Sequence, residues 1–398
     1  MIEILLGLSV LALLHTYVFY PLLMRSLAKN KSTNEIKYSI SDNEEWPRIF
    51  VLMSLYNEEK VIAEKLQTLI DQDYPTAKTY FYVGSDCSSD KTNEIVQTIA
   101  DQYSNLHFFP YTDRNGKPGV INRLYSSLEE DFEKLESDIV IITDANVMLS
   151  KDVFKQLGQH FKNPDIALVD SRMVHRGMQN EGISKAEDQY ISNEVWIKNW
   201  ESKTWGTMIG PFGGCYALRR TNYSYVPKNF LVDDFYIAMK CLEADKKAIN
   251  ELNAICFEDV THDIEVEYRR KRRISAGNFQ NMVVFRKLWW PPFKPLNFAF
   301  FSHKILRWLG PFWLMSMLIG ATLLTLKGGW LYQLFALLLV VILLFIPVLD
   351  WMLSKMGINL TIFRGIRYFL LMNIALLEGF LNFLKGVKTN VWQPTKRN

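Results

Sequence analysis

Asp144 and Asn146 stand two residues apart where an apolar run, Ile139-Val140-Ile141-Ile142, gives out. Side chains two apart on an extended chain point to one side. Oxygen donors so placed suit a hard divalent cation carrying a diphosphate. The same residue types are common in ordinary turns, and that reading stays open here. Lys117, between Gly116 and Pro118, has a slim and bent backbone that lets its amine approach a diphosphate. A surface-turn lysine would look the same. Further polar clusters are Tyr56-Asn57-Glu58-Glu59, Ser85-Asp86 with Ser89-Asp90-Lys91-Thr92, Pro211-Phe212-Gly213-Gly214-Cys215 and Leu231-Val232-Asp233-Asp234-Phe235.

Strands alternating with helices must position these groups. Four consecutive β-branched residues before Asp144 predict a parallel strand covered on both faces. Apolar strands are also predicted over residues 49–55, 80–84 and 106–109, and helices over about 59–72, up to 103, and 120–135. This alternation implies an α/β fold, a parallel and doubly wound (Rossmann-like) sheet. Each polar cluster then follows a strand, on the edge where such sheets bind ligands. No G-x-G-x-x-G follows the first strand and no G-x-x-x-x-G-K-[ST] occurs, which excludes the dinucleotide fingerprint and the P-loop. A nucleotide site built from carboxylates, an amide and a glycine-flanked lysine remains.

The 398 residues carry a net charge of +3, from 45 Lys and Arg against 42 Asp and Glu, a balance that implies no nucleic-acid partner. That balance averages a charged middle and two apolar ends. The run 4–23 predicts an uncleaved transmembrane anchor rather than a signal peptide, since Glu3 stands where a basic n-region would. Runs 309–326 and 331–349, joined by Lys327-Gly328-Gly329-Trp330, predict a transmembrane hairpin. Basic residues beside these runs (Arg25, Lys29, Lys31, Lys304, Arg307, Lys355, Arg364, Arg367) place the middle domain in the cytoplasm, with the chain multi-pass in the cell (inner) membrane. The stretch 366–384 reads as a helix that either spans or, given the basic tail, lies interfacial or re-entrant. Residues 274–287 read as an amphipathic interfacial helix, followed by Trp289-Trp290-Pro291-Pro292 at headgroup level. Cys87, Cys215, Cys241 and Cys256 show neither zinc nor disulfide spacing. The expected organisation is an anchor 1–28, a linker 29–46, a nucleotide-binding domain 47–263, interfacial helices 264–302, a hairpin 303–350, and a helix with a basic tail 351–398.

In order and spacing, Tyr56-Asn57-Glu58-Glu59, Gln72-Asp73-Tyr74-Pro75, Asp86 with Ser89-Asp90-Lys91-Thr92, Asn115-Gly116-Lys117 and Asp144-Ala145-Asn146 resemble the family 2 glycosyltransferases. The resembling branch is the membrane-embedded one of chitin-oligosaccharide, hyaluronan, cellulose and poly-N-acetylglucosamine synthases. The resemblance covers about residues 47–290. It implies a GT-A fold, a nucleotide sugar (usually UDP-linked) and Mg2+ or Mn2+. It also implies that Asn57 and Glu58 line the base and ribose pocket, that Asp86 bonds the base, and that Lys117 contacts base or diphosphate. Asp144 would sit at the metal and diphosphate, with neutral Asn146 where relatives have a second aspartate and His262 as a compensating ligand. Asp234 would be the general base, with Asp233 beside it in place of the family's glutamate; an Asp-Asp helix cap is compatible with both roles. Gly213, Gly214 and Cys215 fall at the acceptor platform, where consecutive glycines admit a sugar. In Arg269-Arg270-Lys271-Arg272-Arg273, Arg272 matches the arginine of Gln-x-x-Arg-Trp that neutralises the leaving diphosphate. The motif tryptophan is replaced by Arg273, and the same cluster would also attract anionic lipid. Trp392-Gln393-Pro394-Thr395-Lys396-Arg397 is similar to the Trp-x-x-Thr-x-Arg ending of some of these synthases.

The reading is an inverting hexosyl- or N-acetylhexosaminyltransferase that passes sugar to a saccharide or glycolipid acceptor at the bilayer. Its rivals are a single-addition transferase on a lipid such as ceramide or a polyprenyl phosphate, and a non-catalytic nucleotide-sugar receptor.

Overall fold

In the computed structural model, the structure describes residues 1–398 except 40–45, 177–182, 260–263, 359 and 392–398; the side chains of 183–191, 264 and 266 are also left undescribed. The chain forms two compact units. One comprises 28–177, 195–260 and 387–398, and the other 1–27, 178–194 and 261–386.

The first unit is built on an eight-stranded sheet. Its strands are β1 (Ile49–Leu55), β2 (Thr79–Asp86), β3 (Leu106–Tyr111), β4 (Ile139–Asp144), β5 (Val147–Leu149), β6 (Ile166–Arg176), β7 (Cys215–Arg219) and β8 (Lys247–Asp259). Their spatial order is β3-β2-β1-β4-β7-β6-β8-β5. β3, β2, β1 and β4 are parallel, as the alternation predicted, and β7 runs antiparallel between β4 and β6. Their crossover helices are Ile62–Ile70, Thr92–Ala100 and Gly116–Asp131, all three within this unit. The apolar runs of β1 and β4 are buried throughout, which stabilises the sheet by ~1.5–3 kcal/mol per large side chain. Register then fixes the ligand edge: Ser54 of β1 lies opposite both Gly84 of β2 and Asp144 of β4, and Thr143 lies opposite Cys215 of β7.

Two expectations shift. The helix predicted from 120 begins at Gly116, so Lys117 lies in its first turn rather than in a preceding loop. The segment expected as a linker is tied down in its described part: the Asn34 Nδ2 lies 3.2 Å from His160 Nδ1, and Asn163 Nδ2 donates to Asn34 Oδ1 at 3.0 Å.

The second unit is helical. Among the described residues, Ile2–Leu27, Trp330–Lys355 and Thr361–Leu384 are each long and apolar enough to cross a bilayer. The run 309–326, expected as the first arm of the hairpin, is the helix Gly310–Thr325, and it meets the preceding helical stretch Pro295–Trp308 at a 61° bend. The stretch 366–384, expected either to span or to lie at the interface, falls in a continuous 24-residue helix, Thr361–Leu384. The helix Ile264–Val284 packs on it, with Ser275 Oγ donating to Leu376 O at 3.0 Å and Gly379 closing on Ser275. Leu6, Met317, Ala321, Leu324 and Leu339 form this unit's apolar cluster.

Candidate active site

At the carboxyl ends of β1 and β2, three loops are sewn together. The Asn57 N–H donates to Ser88 Oγ (3.1 Å), and the Ser89 N–H to Asn57 Oδ1 (2.9 Å). The Glu58 N–H donates to Thr92 Oγ1 (2.8 Å), and the Lys91 N–H to Glu59 Oε2 (3.0 Å). Asn57 takes a positive φ of 53°, tolerable for Asn in a tight turn. Asp86 is buried and accepts from the Asn115 N–H (2.6 Å), the Gly116 N–H (3.0 Å) and Arg114 Nε (3.0 Å). Its carboxylate, expected at the base, thus orders the loop that introduces Lys117. The Arg114 guanidinium lies 3.2 Å over the Tyr56 ring, a flat cationic surface the sequence reading missed.

The next cluster lies around β4. The Lys117 Nζ is 2.6 Å from Asp144 Oδ1 and donates to Gly213 O at 3.1 Å. The Asp144 N–H donates to Gly214 O at 2.9 Å, so the turn after β4 and the Gly213-Gly214 loop are one hydrogen-bonded body. Underneath, the buried Lys65 donates to Thr143 Oγ1 (2.8 Å) and to Val147 O, bracketing Asp144 and Asn146. Burial lowers the Lys65 amine to about 8. From the other side, buried Asp170 accepts from the Phe212 N–H (2.7 Å) and Lys198 Nζ (2.6 Å), fixing the approach to Gly213. Lys65, Asp170 and Lys198 gave no sequence signal, since each stands in an element whose local pattern reads as surface or strand.

Asp233 and Asp234 open the helix Asp233–Glu243, where the N-terminal dipole favours carboxylates. Asp234 Oδ1 accepts the Phe235 N–H at 2.8 Å. A β-carbon built on Gly213 would lie 2.5 Å from Asp234 Oδ2, which places that backbone directly against the carboxylate. Desolvation, then the charge of Asp233, pushes Asp234 up to about 7, where a carboxylate is an effective general base. Burial works against the charge of Lys117, but Asp144, Asp233 and Asp234 outweigh it and hold the amine above the ordinary lysine value.

Of the expected acceptor residues, Gly213 is partly exposed. Gly214 is buried, its β-carbon position 2.5 Å from Phe212 and 2.8 Å from Val147, and the Cys215 thiol lies in the sheet core. The packing of β7 between β4 and β6 puts Cys215 there, so its side chain does not line the loop. Arg272 belongs to the other unit, where it pairs with Glu378 at 3.3 Å. His262 lies outside the described residues.

Among the described residues, no three His, Cys, Asp or Glu side chains gather into a metal-binding group. The donors present still fit a cation that arrives with phosphate oxygens, which needs only one or two protein ligands. Asp144 is partly exposed. The Asn146 Nδ2 donates to Glu258 Oε1 at 3.0 Å, which leaves its oxygen free to coordinate. Asp233 Oδ2 is buried without a hydrogen-bond partner among the described residues. An all-oxygen set with surplus negative charge suits Mg2+ or Mn2+.

Comparison with known proteins identifies the family. Residues 50–223 match the model for glycosyl transferase family 2, and residues 139–352 match that for glycosyl transferase family group 2. The beta-monoglucosyldiacylglycerol synthase of Trichormus variabilis is 23% identical over 237 residues, 58% of this chain and 49% of that protein. The poly-beta-1,6-N-acetyl-D-glucosamine synthase of Staphylococcus epidermidis is 22% identical over 288 residues, 68% of this chain and 66% of that protein. The chain spans about half the length of the first of these curated relatives and about two thirds of the second. Among solved structures, the mannosyltransferase PcManGT from Pyrobaculum calidifontis, in complex with GDP-Man and Mn2+, superposes with a TM-score of 0.67. At 22% identity, covering 96% of this chain and 99% of that one, it shows a shared GT-A fold. With more than half of its length matched by the second family model, the chain belongs to glycosyl transferase family group 2.

Proposed function

We propose that the protein transfers a sugar, with inversion, from a nucleotide diphosphate sugar to a hydroxyl of a membrane-borne saccharide acceptor. The observation carrying this reading is the meeting of Lys117, Asp144, Gly213 and Asp234 at one sheet edge. UDP is the preferred nucleotide on the resemblance of the motifs.

In this reading Asp234 takes the proton of the acceptor hydroxyl, whose oxygen bonds to the anomeric carbon as the carbon–phosphate oxygen bond breaks. Lys117 meets the charge developing on the leaving diphosphate. Asp144 and Asn146 would hold a divalent cation, which when bound adds positive charge beside the diphosphate. Tyr56 and Arg114 offer a face for the base, with Asn57 and Glu58 in the loops around it. Asp170 and Lys65 act at one remove, by fixing the loop and the turn.

A second reading, single addition to a lipid-linked acceptor, is favoured by Arg273 standing where a processive relative has tryptophan. Purified protein in lipid, incubated with radiolabelled UDP-sugars and GDP-mannose, tests both. A polymer ladder supports the first and a single glycolipid band the second. No transfer from any nucleotide sugar refutes both.

A further inference from the structure

Inside the helical unit, one carboxylate faces three bases. Glu194 Oε1 lies 2.8 Å from His303 Nε2 and pairs with Lys304 Nζ, and Glu194 Oε2 lies 2.5 Å from Arg307 Nη1. His303, Lys304 and Arg307 are all buried. Three basic side chains thus converge on a single carboxylate. A fastener between helices would need only one acid and one base.

The position is also special. His303 and Lys304 lie in a π-helical turn, Phe300–Ile305, and Arg307 stands just before the 61° break at Leu309. Such turns and broken helices in bilayer-length segments are where binding sites are built. A second π-helical turn, His15–Phe19, meets the first: His15 Nε2 lies 2.9 Å from Ser302 Oγ. Two buried polar atoms here have no hydrogen-bond partner among the described residues, Thr16 Oγ1 and Asn373 Oδ1. Asn373 Oδ1 stands 2.6 Å from the β-carbon position of Gly310, at the break itself.

We propose that Lys304, Arg307 and His303 form a subsite for the phosphate headgroup of a membrane lipid, with Glu194 occupying the anion's place when the lipid is absent. Lysine supplies a point charge and arginine a planar fork, a pairing that suits phosphate oxygens. The apolar helices that carry the cluster favour a lipid-borne phosphate over a free one. The inference rests on the proposed transfer to a membrane-borne saccharide and names the group that ties that saccharide to its lipid, a phosphate, while the reacting hydroxyl stays on the sugar.

Binding is measured on the full chain in phosphatidylcholine nanodiscs by native mass spectrometry, with farnesyl phosphate, farnesol, phosphatidylglycerol and inorganic phosphate as probes. Farnesyl phosphate should bind about tenfold or more tighter than farnesol. Lys304→Gln and Arg307→Gln should each lower that affinity while UDP binding stays unchanged. Glu194→Gln should raise it, because the competing carboxylate is gone, whereas a purely structural salt bridge gives no gain. Binding of phosphatidylglycerol as well would support a general lipid-phosphate site. Equal binding of farnesol, binding of inorganic phosphate alone, or unchanged affinity in Glu194→Gln would overturn the proposal. UDP binding and sugar transfer to a neutral acceptor, measured alongside, separate failure here from failure of the transferase reading.

Discussion

Gly213 and Asp234 are packed so closely that a β-carbon on the glycine would stand 2.5 Å from the carboxylate oxygen. The contact explains why the loop carries glycine at this point, and it makes position 213 a sensitive probe of the candidate base. In Gly213→Ala either Asp234 or the loop must shift. Sugar transfer should fall roughly 100-fold, the usual cost of a misplaced catalytic group. Nucleotide binding, titrated calorimetrically, should change little.

The raised pKa of Asp234 sets a pH limb. As a base it works only when ionised, so kcat/KM should rise with pH through about 7 and level off above it. Stability runs the other way. The folded value exceeds the ordinary 3.8, so the cost of ionising Asp234 is absent below about 4 and complete above about 7. Asp234→Asn should therefore raise the melting temperature at pH 8, by a stability gain on the order of 2 kcal/mol, with the gain vanishing near pH 4.

Asn146 gives a prediction that runs against the family pattern. Restoring the relatives' aspartate with Asn146→Asp puts a second negative charge where Asn146 now lies 3.0 Å from Glu258. Nucleotide affinity in the presence of Mg2+ should fall on the order of tenfold. The double variant Asn146→Asp/Glu258→Gln should recover it. An improvement in the single variant would show that Glu258 does not orient Asn146.

Gly116 opens its helix at φ +70°, with the Asn390 side chain and carbonyl against the position a β-carbon would take. An alanine there suffers both the left-handed backbone and the crowding. Gly116→Ala should lose ~1–2 kcal/mol of stability and weaken nucleotide binding through Lys117. Thermal unfolding and UDP titration of the purified variant check the two effects separately.

Much of this was legible in the sequence. The β-branched run before Asp144 and the polar clusters after β1 and β2 report their own environment, because a strand buried on both faces tolerates little else. What escaped depends on contacts distant in sequence. Nothing local in Cys215–Arg219 says that it inserts antiparallel beside β4, and that insertion buries Cys215 and brings Gly213 to Lys117. Lys65 stands in a helix among surface-like residues, and only the sheet above it reveals a buried amine. Arg114 reads as loop charge until Tyr56 comes beneath it. The break at Leu309 was hidden because hydropathy measures apolar length and not direction.

The central claim is that Asp234 is the base of a sugar transfer whose nucleotide is held by other groups. It is tested most directly by Asp234→Asn, assayed for transfer from radiolabelled nucleotide sugar and for UDP affinity in the same preparation. The account predicts transfer lowered by at least 100-fold, in line with loss of a general base, with UDP affinity unchanged. Transfer at the wild-type rate, or loss of UDP binding in parallel with transfer, would contradict it.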